Sequence, residues 1–128
     1  GDAALAKAWN LADRVRVTNI AEEKIDTVSH GQRRQIEVGM ALASDPKLLM
    51  LDEPAAGLSA GERPELVKLI QDLPRDLTLI LIEHDMDVAL PNSDIVTVMK
   101  DGEVVVENTP DRIADDPTVQ AIYLGGAH

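Results

Sequence analysis

Leu48-Leu49-Met50-Leu51-Asp52-Glu53-Pro54 and, further on, Leu77-Thr78-Leu79-Ile80-Leu81-Ile82-Glu83-His84-Asp85 decide the fold between them. Each begins as an apolar run too short for a helix and ends in acids, the pattern of a strand buried on both faces of a parallel sheet. Between them Leu66, Leu69, Ile70 and Leu73 fall at i, i+3, i+4 and i+7, so a crossover helix joins two parallel strands in a βαβ unit. Ser59 and Glu62 have capping-box spacing, yet Pro64 would lie too deep in a helix begun at Ser59. The helix start is therefore expected nearer Gly61.

Working towards the amino end, Ser29 to Ser44 contains no proline, and Ile36, Met40 and Ala43 form a stripe that ends before Asp45-Pro46, which predicts a second helix. Residues 13 to 28 read as irregular. Residues 3 to 12 put Leu5, Trp9 and Ala12 on one face behind Asp2, an expected N-cap, and predict a short amphipathic helix. In the other direction, Ile95–Met99 and Val104–Val106 flank Asp101-Gly102, the dipeptide of a type I′ hairpin turn. Short helices are expected from Asp111 to Leu124. The predicted fold class is α/β, with Leu66, Leu69, Ile70, Leu73, Met40 and Met50 in the core.

Composition narrows the function. The 128 residues carry 12 Lys and Arg against 23 Asp and Glu, a net charge of -11, which argues against binding nucleic acid or anionic lipid through charge. With no Phe, one Trp and one Tyr, there is no platform for base stacking. The absence of Cys excludes a disulfide framework and a thiolate metal site. No apolar run approaches the roughly twenty residues of a transmembrane helix. No basic stretch followed by an apolar one opens the chain, so no signal peptide is expected. One domain, or one piece of a domain, is the expectation at this length.

In open α/β sheets ligands collect beyond the carboxyl ends of the parallel strands. Here those ends are Asp52-Glu53 and Glu83-His84-Asp85. Carboxylates and an imidazole at one sheet edge suit a hydrated divalent cation and proton transfer. The plainer alternative is that Asp52 and Asp85 cap the turns that follow. A second feature is Ser29-His30-Gly31-Gln32 at the head of a helix, where free N–H groups, the helix dipole and a hydroxyl could receive a phosphate. Capping alone also explains Ser29, and Arg33 and Arg34 are either a source of positive charge or a solvated face. Trp9 either packs within the helical part or faces a partner.

Together these segments resemble the ATP-binding cassette family. Its signature motif, usually LSGGQ, matches Val28-Ser29-His30-Gly31-Gln32, followed by Arg33-Arg34-Gln35. Leu48 to Pro54 looks like its Walker B strand, Ala56-Gly57-Leu58-Ser59 takes the place of its D-loop, and His84 stands where the family has its switch histidine. Asp101-Gly102 and Thr109-Pro110 match the family's closing hairpin and helix. The resemblance implies a partial P-loop NTPase-like parallel sheet flanked by helices. Residues 1–45 would be part of the helical subdomain, and 46–128 the C-terminal part of the nucleotide-binding core. It further implies ATP and Mg2+ as ligands: Asp52 would bind the metal through water, Glu53 would act as general base, and His84 would contact the γ-phosphate. Ser29 and Gly31 would clasp the γ-phosphate of ATP held by an opposite subunit, with His30 and Gln32 beside it and Ser59 at the dimer interface. His30 replaces the commoner Gly, a larger side chain beside the clasp.

No G-x-x-x-x-G-K-[ST] phosphate loop occurs in the sequence, so the chain looks like the C-terminal half of an ATP-binding subunit and is expected to be inactive alone. A parallel sheet lacking its neighbouring strand is also expected to self-associate. Glu53-Pro54-Ala55-Ala56-Gly57-Leu58, Ile82-Glu83-His84-Asp85-Met86 and Tyr123-Leu124-Gly125 look most like subunits of branched-chain amino-acid importers, with urea and lipopolysaccharide transporters as near alternatives. The implied partners are a second ATP-binding subunit, transmembrane permease subunits and, indirectly, a periplasmic substrate-binding protein, at the cytoplasmic face of the membrane. A DNA- or ribosome-directed ATPase is disfavoured, because no heptad arm and no basic cluster interrupts the chain. A non-catalytic module that lends its signature helix to another ATP site needs only Ser29 to Gln32, and Asp52, Glu53 and His84 weigh against it. His128 is assigned no role.

Overall fold

Local sequence sets the helix boundaries in a computed structural model that describes residues 1–125. Helix α1 (Asp2–Arg14) is capped by Gly1, and Asp2 lies inside its first turn. There its charge favours the positive helix end without a capping hydrogen bond. The expected Asp2 cap is thus corrected. Leu5 and Trp9 are exposed, whereas Leu11 and Ala12 pack against the core. The following stretch contains two 3₁₀ turns, Thr18–Ile20 and Ile25–Thr27. Irregular as it is, it buries Val15, Val17, Ile20 and Val28.

Helix α2 (His30–Leu42) starts at a capping box formed by Ser29 and Gln32 and turns Val38, Gly39 and Leu42 inward. Met40 is 72% exposed, so its assignment to the core is corrected: the buried stripe lies to either side of it. Strand β1 (Leu48–Asp52), helix α3 (Arg63–Gln71) and strand β2 (Thr78–Ile82) form the βαβ unit. The strands pair in parallel from Leu48 opposite Thr78 to Asp52 opposite Ile82. Leu66, Leu69 and Ile70 of α3 are fully enclosed, each contributing about 1.5–3 kcal/mol by leaving water. The helix begins at Arg63, later than Gly61, with Pro64 in its first turn where no N–H partner is lost. The Ser59–Glu62 box nevertheless forms, one turn ahead of the helix.

The strands are not buried on both faces. Leu49 is buried, but Leu48, Met50, Ile80 and Ile82 are exposed. Among the described residues, the core includes Leu49, Leu51 and Leu79 from one face of this two-stranded sheet. Met50 is therefore a surface residue, not core. Helix α4 (Met86–Ala89) and a 3₁₀ turn (Leu90–Asn92) lead to β3 (Val96–Lys100) and β4 (Glu103–Asn108), an antiparallel hairpin in its own sheet. Asp101 and Gly102 have φ of 52° and 80°, the positive pair that a type I′ turn requires. Helices α5 (Pro110–Ala114) and α6 (Pro117–Gly125) follow.

Two clusters make the core. The larger joins Val15, Val38 and Leu42 to Leu49, Leu58, Leu69 and Val88, and so spans both sides of Asp45. The smaller packs the hairpin's Val98 against Ile113 and Val119. No helix among the described residues is long and apolar enough to cross a membrane. His128 lies outside the described residues.

Candidate active site

Parallel pairing of β1 with β2 delivers Asp52, Glu53 and His84 to one sheet edge. Glu53 leaves β1 with φ of 46°, a left-handed conformation unfavourable for a residue with a Cβ. Its N–H, donated to the Ile82 carbonyl at 2.7 Å, holds it there. The side chain is thereby brought to His84, whose Nδ1 lies 3.1 Å from Glu53 Oε1. This hydrogen bond, and then the carboxylate's charge, raise the His84 pKa above the ordinary histidine value. Both side chains stay open to solvent, so a reactant can reach them.

Beneath them sits Glu83, which the sequence groups with the other acids at the strand ends. Its side chain is fully enclosed. One oxygen accepts the Ala55 N–H at 3.2 Å, and the other accepts the N–H groups of His84 and Asp85 at 3.1 and 3.3 Å. Glu83 therefore staples the turn after β1 to the turn after β2, and fixes the spacing on which the Glu53–His84 contact depends. Only the apolar environment of the strand end hinted at this in the sequence. Asp85 is the cap foreseen as the plainer reading: it accepts the Asp87 N–H at 2.9 Å and pairs with Arg63 at 3.3 Å. Asp52 caps nothing among the described residues, and it is exposed.

No set of three or more metal-ligating side chains is assembled among the described residues. A lone, outward carboxylate such as Asp52 does not suit an all-protein cage. It does suit Mg2+, which keeps several waters and takes one or two carboxylates together with substrate phosphates.

The signature-like turn lies across the loop after β1. Ser29 Oγ accepts the Gln32 N–H at 3.1 Å and Gln32 Oε1 accepts the Ser29 N–H at 2.8 Å. Gly31 N–H donates to Glu62 Oε2 at 2.7 Å. The N–H groups of Gly31 and Gln32, foreseen as free, thus have partners inside the chain. His30 turns away from this cap. Its Nε2 lies 3.2 Å from the Ala56 carbonyl, and a Cβ on Gly57 would come within 2.8 Å of it. Gly57, at φ 78°, is thus required twice over, by torsion and by space. Arg34 is half-buried and directs a guanidinium nitrogen to the same Ala56 carbonyl at 3.5 Å, while Arg33 is exposed. Ser59 is exposed beside Glu62.

Residues 3–56, from α1 through the Ser29–Gln32 turn to Ala56, match the family model for ABC transporters. Over 126 residues the chain is 37% identical to the high-affinity branched-chain amino acid transport ATP-binding protein BraF of Pseudomonas aeruginosa, covering 97% of this chain and 49% of that one. The chain is similar to ABC transporter ATP-binding proteins along nearly all of its own length. The corresponding LivG protein of Escherichia coli K12 is 36% identical over the same shares of both chains. A crystal structure of the ADP conformation of an ABC transporter's ATP-binding cassette superposes with a TM-score of 0.84 at 28% identity, covering 98% of this chain and 51% of that one. The α/β fold expected from the strand pattern is therefore present, and it matches about half of a cassette, as the resemblance implied. The chain spans about half the length of the curated relatives it matches.

Proposed function

We propose that the chain is the C-terminal half of the ATP-hydrolysing subunit of an ABC importer for branched-chain amino acids. The observation that carries this reading is the Glu53–His84 contact of 3.1 Å at the carboxyl ends of two parallel strands, where Asp52 also ends β1. Phosphoryl transfer depends mostly on positioning and charge stabilisation. Glu53 accepts a proton from the attacking water as general base. His84, protonated on both ring nitrogens, donates Nδ1–H to Glu53 and offers Nε2–H to a γ-phosphate oxygen. Asp52 would hold Mg2+, which would supply positive charge to offset that on the phosphates.

The Ser29–Gln32 turn serves ATP held by a second ATP-binding subunit, with His30 bracing the loop after β1 and Ser59 at the interface between subunits. Transmembrane permease subunits receive the stroke, a periplasmic substrate-binding protein supplies the amino acid, and the subunit works at the cytoplasmic face of the membrane. The names of the P. aeruginosa and E. coli relatives support branched-chain amino acids as the cargo.

The test is a chimera in which this chain replaces the matching half of the P. aeruginosa protein. ATP hydrolysis is expected, with Glu53→Gln abolishing turnover while ATP still binds, and His84→Ala lowering kcat at least about tenfold. A chimera that binds ATP and hydrolyses it equally well with Gln at position 53 would overturn the assignment. The chain by itself, lacking a phosphate loop in its sequence, is expected to give neither heat nor phosphate release on titration with Mg-ATP.

A further inference from the structure

Glu62 lies 31 residues beyond Gly31, yet its carboxylate sits on the amino end of α2. One oxygen accepts the Gly31 N–H at 2.7 Å, the other accepts the Ser59 N–H at 3.2 Å, and the Ser59 hydroxyl accepts the Glu62 N–H at 3.2 Å. The approach depends on glycine, because a Cβ at position 31 would stand 2.2 Å from Glu62 Oε2. A helix head of this length presents N–H groups and a partial positive charge to any oxyanion, and here the chain provides that oxyanion itself. The Ser59 and Gly31 N–H groups, with His30 contributing, hold the Glu62 pKa below the ordinary carboxylate range, so the group is charged at neutral pH.

We propose that Glu62 is a built-in oxyanion that closes the Ser29–Gln32 turn, so that a phosphate oxygen gains the Gly31 N–H only by displacing the Glu62 carboxylate. This rests on the reading of that turn as a phosphate-receiving one. The displaced group is the far end of a flexible side chain, so it can leave by changing rotamer while α2 and α3 stay in place. Its departure also releases the Ser59 N–H. Occupancy of the turn is thereby tied to the loop that carries Ala56 to Ser59 and begins immediately after Glu53. The contact is an autoinhibitory one that a competing phosphate relieves.

The experiment is a titration of the 15N-labelled 128-residue chain with inorganic phosphate at constant ionic strength, alongside Glu62→Ala and Glu62→Gln. In the unaltered chain the Gly31 amide proton is expected downfield, and it should move upfield in both variants. Phosphate should shift the Gly31 and Gln32 amides of Glu62→Ala at a concentration about threefold lower or less than the unaltered chain requires, because a like charge has been removed. Glu62→Gln keeps the shape and discards the charge, and should fall between. Equal midpoints in all three chains overturn the proposal but leave the phosphate-receiving turn intact. No response to phosphate at those amides in any chain overturns both. A Gly31 amide unmoved by either substitution removes the contact on which the proposal stands.

Discussion

Two polar constellations, at the head of α2 and at the ends of β1 and β2, are built on opposite plans. At the head of α2, Ser29 and Gln32 satisfy each other and Gly31 is held by Glu62. At the strand ends one enclosed acid, Glu83, absorbs the backbone N–H groups, leaving Asp52 outward and the Glu53–His84 pair open to solvent. The first region is closed until something competes with its internal partners. The second is held ready, because its framework is satisfied by a residue that takes no part in the exposed pair. Polar groups at a site can thus be kept available either by being exchangeable or by having their scaffold satisfied elsewhere.

The strongest way to break the comparison is to remove what both regions share. Leu69 is 1% exposed in the cluster that joins α2, β1 and α3, and Leu69→Ala is expected to cost about 2–5 kcal/mol in chemical denaturation, loosening both regions together. Next comes Glu83→Ala, which orphans the Ala55, His84 and Asp85 N–H groups and should cost about 2–3 kcal/mol. Hydrogen exchange should rise at those amides and stay unchanged at Gln32, so a uniform rise would merge the two regions into one unit.

Gly57→Ala should cost about 1–2 kcal/mol, since it meets both an unfavourable torsion and the His30 ring. Substituting His30 by Gly in the same chain should recover part of that loss. Ser29→Ala removes one half of the capping box for about 1 kcal/mol, with faster exchange at Gln32 and none of the changes seen with Glu83→Ala.

The smallest effect is a titration. Glu53→Gln should bring the His84 pKa, followed by its ring proton shifts, down towards the ordinary value, as loss of the hydrogen bond and of the adjacent charge requires. Because the folded-state pKa is the higher one, the pair's stabilisation is fully present below the ordinary histidine pKa and fades as pH rises through the folded value. An unchanged His84 pKa in Glu53→Gln would separate the two residues.

Legibility in the sequence follows the range of the interactions. The βαβ unit was readable because apolar runs and helical spacing are local, and the hairpin because Asp101-Gly102 carries its own turn. Asp52, Glu53 and His84 were readable as strand ends. Burial was not: Met40 and Met50 are apolar by composition but lie on faces that the described residues leave uncovered. The roles of Glu62 and Glu83 were hidden because their partners are 31 and 28 residues away. A Glu at a helix head or strand end looks the same whether it is solvated or enclosed, and only the assembled chain distinguishes them. The Ser59–Glu62 box was legible as spacing but was set aside on account of Pro64, which the structure accommodates by starting α3 at Arg63.

The seat of His30 against Gly57 has an evolutionary corollary. Two prohibitions act on position 57, and only one of them belongs to position 57 itself. If drift shortens residue 30, the steric prohibition lapses while the torsional one stays, and asparagine becomes the first tolerable replacement because it visits left-handed backbone more readily than other side chains. Positions 30 and 57 should therefore change in a fixed order among descendants of this chain: the histidine must shrink before the glycine can grow.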